Sequence, residues 1–144
     1  MPHPPQGPDL DWRDGIPVSR AFDDPYFSLA GGLEQTRHVF LSGNRLPERL
    51  RDGFHIAELG FGTGLNFLAT ALMWQGMGTP GTLRFTSFEA FPMQAEDMAR
   101  SHAAFPEVAA ISAELLRQWE TGALEIALPG IRLTVVPGDA RETL

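Results

Sequence analysis

The residues of this 144-residue chain that could do chemistry concentrate in one short run, ELGFGTGLN at positions 58–66. Three glycines alternate with other residues, and Glu58 precedes them. A glycine-rich turn between a strand and a helix lets a ligand approach the backbone closely, beside the positive N-terminus of the helix. The run therefore predicts a ligand-binding loop with a carboxylate next to it.

The spacing of these glycines bears on the class of ligand. A dinucleotide-binding fingerprint reads G-x-G-x-x-G/A, with small residues where the helix packs on the sheet. Here the glycines are Gly60, Gly62 and Gly64, and the bulky Leu65 follows at once. This spacing weakens the pyrophosphate interpretation, so a nicotinamide-dependent oxidoreductase is the weaker hypothesis. A tight turn without a ligand is the other alternative.

Two further carboxylates follow predicted strands. Glu89 comes at the end of a predicted strand over 82–88, and Asp139 follows another over 131–136. Open α/β sheets bind ligands at the carboxyl ends of their strands, and a carboxylate can accept two hydrogen bonds from a diol. Taken alone, Glu89 is better explained as a surface acid at the end of a strand, and Asp139 could be a helix N-cap. Together with the loop they predict a cofactor site.

The elements that must position these residues follow the order strand, loop, helix, strand. Residues 54–59 form a short apolar run typical of a buried strand, and 65–75 predict a helix that ends at Gly76. This order favours a largely parallel sheet with flanking helices, hence the α/β class. The remaining predicted elements are a strand over 82–88, helices over 92–104 and 106–119, and a hairpin of strands over 124–128 and 131–136.

Composition restricts the possible functions. The net charge of −7 argues against a protein that simply coats nucleic-acid phosphates, and 43% hydrophobic residues supply enough material for a core. The lack of cysteine excludes a disulfide scaffold, thiolate metal ligation and a cysteine nucleophile. No targeting segment or membrane span is recognisable, which predicts a soluble cytoplasmic protein. Residues 1–15 are predicted to be a disordered tail, and no metal site is expected.

Several runs resemble one known family. The acid-x-G-x-G-x-G run resembles the first motif of class I S-adenosylmethionine-dependent methyltransferases. A longer set of matches resembles the methyltransferase domain of the bacterial tRNA 5-methylaminomethyl-2-thiouridine biosynthesis bifunctional protein. This resemblance covers about residues 19–144. Its runs are FDDPYFS at 22–28, GLE at 32–34, HVFL at 38–41, GNRLPER at 43–49, ELGFGTGLNFL at 58–68 and SFE at 87–89.

The resemblance implies a Rossmann-like methyltransferase fold and a tRNA substrate. The implied reaction transfers a methyl group from S-adenosylmethionine to the aminomethyl nitrogen on a wobble uridine, without a metal. It implies that Glu58 faces the ammonium of the cofactor, Glu89 the ribose hydroxyls and Asp139 the adenine amino group. No catalytic residue is assigned, although Asn66 and Tyr26 could lie near the methyl group if they do not serve packing or capping. The implied cofactor-binding residues are Glu58, Gly60, Phe61, Gly62, Gly64, Asn66, Glu89 and Asp139.

The chain also departs from the family pattern. Family members continue past the segment around Asp139 into another central strand, whereas this sequence stops at Leu144. We therefore expect an incomplete domain, with an N-terminal β-rich extension over 16–54 and a cofactor-binding core over 55–144. A homodimer or a missing C-terminal portion would complete the sheet. The alternative function is an inactive truncated paralogue that acts as a binding or oligomerising module.

Support for tRNA binding within the sequence itself is thin. One concentration of basic residues occurs between positions 37 and 51, and Glu48 and Asp52 dilute it. Arginine suits phosphate contacts, but a solvated charged face explains the same pattern. The basic residues concerned are Arg37, His38, Arg45, Arg49 and Arg51.

Overall fold

Two β-sheets and a layer of helices are formed by the residues that this computed structural model describes, 10–13, 16–19, 24–25 and 49–138. In chain order the elements are strands β1 (Leu10–Arg13), β2 (Ile16–Ser19), β3 (Asp24–Pro25) and β4 (His55–Leu59), helix α1 (Leu65–Met77), strand β5 (Leu83–Glu89), helix α2 (Ala95–His102), a short 3-10 turn (Pro106–Val108), helix α3 (Ala109–Trp119), and strands β6 (Glu125–Leu128) and β7 (Ile131–Pro137).

The larger sheet has the strand order β4-β5-β7-β6. Strands β4, β5 and β7 run parallel, and β6 pairs antiparallel with β7. The tight turn between β6 and β7 contains Gly130 at φ 76, a conformation that glycine adopts without strain. The α/β class, the parallel pairing across the loop and helix, and the later hairpin are therefore confirmed.

The smaller sheet has the order β1-β2-β3, and its pairs are antiparallel. The guanidinium of Arg100 in α2 lies 4.2 Å from the centroid of the Trp12 ring in β1, which links this sheet to the helical layer. The prediction of a disordered tail is wrong for Leu10–Arg13, which form a strand. The overlooked signal is the sequence Asp14-Gly15 between two partly alternating runs, a pair that favours tight hairpins.

The helices cover one face of the larger sheet. In α1, Phe67 and Leu68 are fully buried, and the Phe67 ring meets the Phe85 ring of β5 edge-on at 5.3 Å. Burying such a side chain stabilises the fold by about 1.5–3 kcal/mol. Leu115 of α3 and Met98 of α2 complete the same core. Within the described ranges, no helix is long and apolar enough to cross a membrane.

The opposite face of the larger sheet is polar and exposed. His55, Arg84 and Arg132 occupy one row across β4, β5 and β7, because His55 pairs with Arg84 and Arg84 with Arg132. An open cavity of about 670 Å³ lies on this face, and its lining includes both arginines, Thr86 and Glu125. Among the described residues, β4 pairs with β5 alone and so forms an edge of the sheet.

Four helix boundaries differ from the sequence predictions: the end of α1, both ends of α2, which stops at His102, and the start of α3, which follows the 3-10 turn. Helix α1 continues through Gly76 to Met77 and ends at Gly78, whose φ of 64 makes it the left-handed cap. Helix α2 begins at Ala95 rather than at Pro92. The buried Met93 explains this later start, since its carbonyl accepts a hydrogen bond from Trp119 Nε1 at 2.8 Å.

Candidate functional site

The glycine loop connects the end of β4 to the start of α1. The amide of Gly60 donates to the carbonyl of Phe88 at 2.7 Å, so the loop begins beside the end of β5. Gly64 closes the loop at φ +83, and a Cβ there would lie only 2.7 Å from the Phe61 ring. Any other residue at position 64 would be both strained and obstructed. The loop is therefore compact, and α1 starts directly from it.

Phe61 anchors the loop to the helical layer. Its side chain is buried, and its ring stacks on the Trp119 ring with centroids 5.1 Å apart and an interplanar angle of 14°. Stacked aromatic pairs contribute about 0.5–1.5 kcal/mol beyond their area of burial. The side chain of this predicted site residue is thus committed to packing, and any contact with a ligand would come from its backbone.

Glu89 joins the end of β5 to the loop. Its Oε1 accepts a hydrogen bond from the amide of Gly62 at 2.9 Å, and its Oε2 accepts one from the amide of Phe91 at 3.1 Å. The carboxylate is only partly buried. Hydrogen bonds from backbone amides to a charged acceptor are among the stronger ones in proteins. They hold Glu89 in place while part of it faces solvent.

Glu58 lies below the loop in a much drier setting. It is only 8% exposed, and its two oxygens accept hydrogen bonds from side chains. Asn66 Nδ2 donates to Oε2 at 2.7 Å, and Ser87 Oγ donates to Oε1 at 2.9 Å. Burial raises the pKa of Glu58 to about 7; the two hydrogen bonds oppose this rise and the charge of Glu89 adds to it. The carboxyl is therefore poised between its neutral and ionised forms near neutral pH.

The hydrogen bonds to Glu58 show what Asn66 and Ser87 do in the site. Gly64 caps α1 without any side-chain hydrogen bond, so Asn66 does not cap the helix but reaches back to Glu58. Sequence reasoning missed Ser87. An available signal was its place on β5, where it shares the buried face with Phe85, as a hydroxyl among apolar residues. In the parallel pairing Ser87 lies opposite Glu58.

A second buried polar group supports the loop from the helical layer. His102 stands at the end of α2. Its Nε2 lies 2.6 Å from the carbonyl oxygen of Thr63, and its Nδ1 lies 2.7 Å from Ser112 Oγ. Burial lowers the pKa of His102, while the hydrogen bond to Thr63 opposes the shift. The structure makes this histidine a buried contact of the loop.

Seven of the eight predicted site residues lie together at the carboxyl ends of β4 and β5. Asp139, like Tyr26, lies outside the described residues. The described part of the chain contains no cluster of three histidine or acidic residues that could hold a metal ion. The residues that come together are Glu58, Gly60, Phe61, Gly62, Gly64, Asn66 and Glu89.

The electrostatics of the site disfavour a pyrophosphate. The amide of Gly62, which an anion could otherwise use, already donates to Glu89. A second carboxyl, Glu58, lies close enough to Glu89 for the charge of Glu89 to raise its pKa. Two acids at the same loop repel a phosphate and attract a cation. The arrangement suits a ligand that carries positive charge and hydroxyl groups.

Comparison with known proteins relates the chain to one family, although no family model matches it. It is 46% identical over 143 residues to the tRNA 5-methylaminomethyl-2-thiouridine biosynthesis bifunctional protein MnmC of Thiobacillus denitrificans, with 94% of this chain and 23% of that protein covered. The MnmC of Pseudomonas fluorescens is 48% identical over 147 residues, again with 94% of this chain and 22% of the relative.

A solved structure gives the same picture for the fold. The crystal structure of MNMC2 from Aquifex aeolicus superimposes with a TM-score of 0.66 at 23% identity, and the match covers 96% of this chain and 44% of that one. This likeness supports the assigned α/β architecture.

The extent of these matches defines the relationship. The chain spans somewhat over a fifth of the length of the curated relatives that it matches. Nearly all of the chain takes part in the alignment, at an identity well above chance for this length. The resemblance found in the sequence is therefore confirmed: the chain is homologous to one segment of the tRNA 5-methylaminomethyl-2-thiouridine biosynthesis bifunctional proteins and belongs, by that segment, to their family.

Proposed function

We propose that this chain binds S-adenosylmethionine at the glycine loop and forms the cofactor-binding part of a tRNA methyltransferase. The observation that carries the proposal is the convergence of Glu58 and Glu89 on one glycine loop. The proposed reaction is methylation of the aminomethyl group on a wobble uridine. The relatives are named for the biosynthesis of tRNA 5-methylaminomethyl-2-thiouridine, and this supports that choice.

The residues around the loop fit this cofactor chemically. Glu58 is buried and its pKa is raised to about 7, so a neighbouring cation such as the ammonium of the methionine moiety would stabilise the ionised carboxylate. Glu89 is partly exposed and can accept hydrogen bonds from the ribose hydroxyls. Phe61 and Gly64 keep the loop compact, so its backbone can approach the ligand closely.

The proposed reaction mainly requires the protein to position the methyl donor and the acceptor. When bound, the cofactor supplies an electrophilic methyl group on a sulfonium, and the acceptor is a neutral amine. The chain must hold the two at attack distance and exclude water, which is a matter of orientation. The residues described here bind and orient; none is assigned as the base that removes the proton from the amine.

Calorimetric titration with S-adenosylhomocysteine tests cofactor binding. We expect binding by the wild-type chain and a loss of about tenfold or more in affinity for Glu89→Gln, which removes a charged acceptor. Glu114→Gln is the matched control, because Glu114 is an exposed acid on α3 whose contact is with Arg117. The absence of binding heat from a folded, monodisperse sample would refute the proposal.

A proton measurement in the same titration makes the test more specific. If a cation settles beside Glu58, that carboxyl ionises and releases a proton when the titration is done below pH 7. The observed enthalpy should then depend on the ionisation enthalpy of the buffer, and Glu58→Gln should abolish that dependence. Activity requires a separate assay, namely incorporation of labelled methyl groups into tRNA that lacks this modification.

A second candidate function is a binding or oligomerising module, and the edge strand β4 favours it. Among the described residues β4 pairs only with β5, and Leu59 at its end is 72% exposed. Unpaired edge strands readily accept another strand. Light scattering at several concentrations distinguishes the possibilities: a constant monomer mass contradicts self-association, whereas a dimer that fails to bind S-adenosylhomocysteine favours this second function.

A further inference from the structure

One buried histidine contacts the glycine loop without any role in the function proposed above. His102 Nε2 lies 2.6 Å from the carbonyl oxygen of Thr63, and His102 Nδ1 lies 2.7 Å from Ser112 Oγ. All three residues are buried, each at most 5% exposed. Thr63 stands between two glycines of the loop, so the histidine reaches from the end of α2 into the centre of the candidate site.

The partners of His102 determine where its proton lies. A carbonyl oxygen can only accept, so Nε2 must carry the hydrogen that it donates to Thr63. In the neutral ring Nδ1 is then an acceptor, and the Ser112 hydroxyl must donate to it. Burial, which disfavours the charged imidazolium, agrees with this neutral form. The three groups thus satisfy one another with a single tautomer.

The loop needs such a contact because its neighbouring residues are conformationally free. Gly62 and Gly64 have φ values of 57 and 83, and glycine exchanges such conformations at little cost. A peptide group between two glycines can therefore rotate unless something holds it. Glu89 fixes the amide of Gly62 from the sheet, and His102 fixes the carbonyl of Thr63 from the helices.

We propose that His102 is a positioning residue for the cofactor site, which holds the Thr63 carbonyl and thereby keeps the glycine loop in its binding conformation. The inference rests on the proposed function insofar as the ligand is S-adenosylmethionine. Its structural part, the control of the loop by His102, stands apart from the identity of the ligand. The Ser112 hydroxyl, which donates to Nδ1, keeps the His102 imidazole in the required tautomer.

Three variants of the full chain test this role. His102→Leu replaces the imidazole by an apolar side chain of similar size and leaves the Thr63 carbonyl without its hydrogen-bond donor. His102→Gln restores a donor N–H at about the position of Nε2. Ser101→Ala is the matched control, since Ser101 is the neighbouring buried hydroxyl of α2 and bonds Asp97 rather than the loop. Binding of S-adenosylhomocysteine and the amide resonances of the loop glycines are measured for each.

We expect His102→Leu to weaken binding about tenfold relative to Ser101→Ala, and His102→Gln to recover most of that loss. The amide resonances of Gly60, Gly62 and Gly64 should move in His102→Leu and return in His102→Gln. If His102→Leu binds as tightly as Ser101→Ala with unchanged glycine resonances, the proposal is overturned. A merely structural role would lower the melting temperature without this pattern of rescue.

Two further outcomes are decisive. Nitrogen-15 spectra of the wild-type imidazole should show the Nε2–H tautomer; an Nδ1–H tautomer contradicts the proposal even if His102→Leu does not fold. If the wild-type chain fails to bind S-adenosylhomocysteine while the glycine resonances still follow the donor at position 102, His102 retains its positioning role. In that case the proposed cofactor, not the positioning residue, is wrong.

Discussion

The carboxyl ends of β4 and β5 each present a glutamate to the same loop, but in opposite environments. Glu58 is nearly enclosed and receives its hydrogen bonds from the side chains of Asn66 and Ser87. Glu89 is partly exposed and receives its hydrogen bonds from the backbone amides of Gly62 and Phe91. Two acids of the same type, one strand apart, are thus prepared for different tasks.

The two environments have opposite effects on the stability of the folded chain. Backbone amides donate to both carboxylate oxygens of Glu89 and so hold the loop, which lets this acid contribute to stability. Burial of Glu58 penalises its charged form, so this acid costs stability once it ionises. Such a cost is expected where a buried acid awaits a cation that only the ligand brings.

The largest predicted effect is the pH dependence that Glu58 contributes to the stability of the folded chain. Its pKa is raised from 4.5 to about 7 on folding, so its stabilising contribution is complete below pH 4.5 and is lost as the pH rises to about 7. We expect this acid to lower the free energy of unfolding by about 3 kcal/mol between pH 4.5 and pH 8. Urea unfolding of the ligand-free chain at several pH values measures it.

Glu58→Gln provides the control for that measurement. The amide keeps the shape of the side chain but cannot ionise, so the difference in unfolding free energy between variant and wild type should grow in favour of the variant from pH 5 to pH 8. An equal difference at both pH values would show that Glu58 is not the titrating group. The same variant should lose affinity for a cationic ligand.

The intermediate effect concerns Glu89, where the sign is reversed. Glu89→Gln removes a charged acceptor from the amides of Gly62 and Phe91, so it should lower stability at pH 8 by about 1–2 kcal/mol. Thermal and urea unfolding beside Glu58→Gln measure the contrast directly. If both variants change stability in the same direction at pH 8, the distinction drawn between the two acids fails.

The smallest effect is expected for Ser87→Ala. This change removes one of the hydrogen bonds that lower the pKa of Glu58, so the pKa should rise further. The loss of stability should be about 1 kcal/mol at pH 8 and smaller at pH 5, where Glu58 is protonated. Thr134→Ala, which removes a half-buried hydroxyl from β7 on the opposite face of the sheet, is the control and should show no such pH dependence.

Much of this fold could be predicted because its local signals agree with one another. The apolar run of β4, the glycines of the loop and the helix after them all indicate the same strand, loop and helix. The predicted end of α1 at Gly76 was wrong, because a glycine can also continue a helix and the left-handed cap falls at Gly78. The start of α2 was wrong because the anchoring of Met93 by Trp119 is a tertiary contact.

In the candidate site, too, some residues could be predicted from the sequence and others could not. Glu58 could be predicted because it stands two residues before the first glycine of the loop, and Glu89 because it ends the next strand. Their partners could not, since Ser87 and Asn66 meet Glu58 through the pairing of two strands and the start of a helix. His102 was out of reach of sequence reasoning, because nothing in its neighbourhood along the chain indicates that it meets Thr63.

The stacking of Phe61 on Trp119 has a consequence for how the site forms during synthesis. The strand, loop and first helix leave the ribosome well before the end of α3, and long-range contacts of this kind form late. A nascent chain that has not yet exposed Trp119 has both glutamates but no anchored loop between them. The loop should therefore reach its anchored conformation in one late step, when α3 docks.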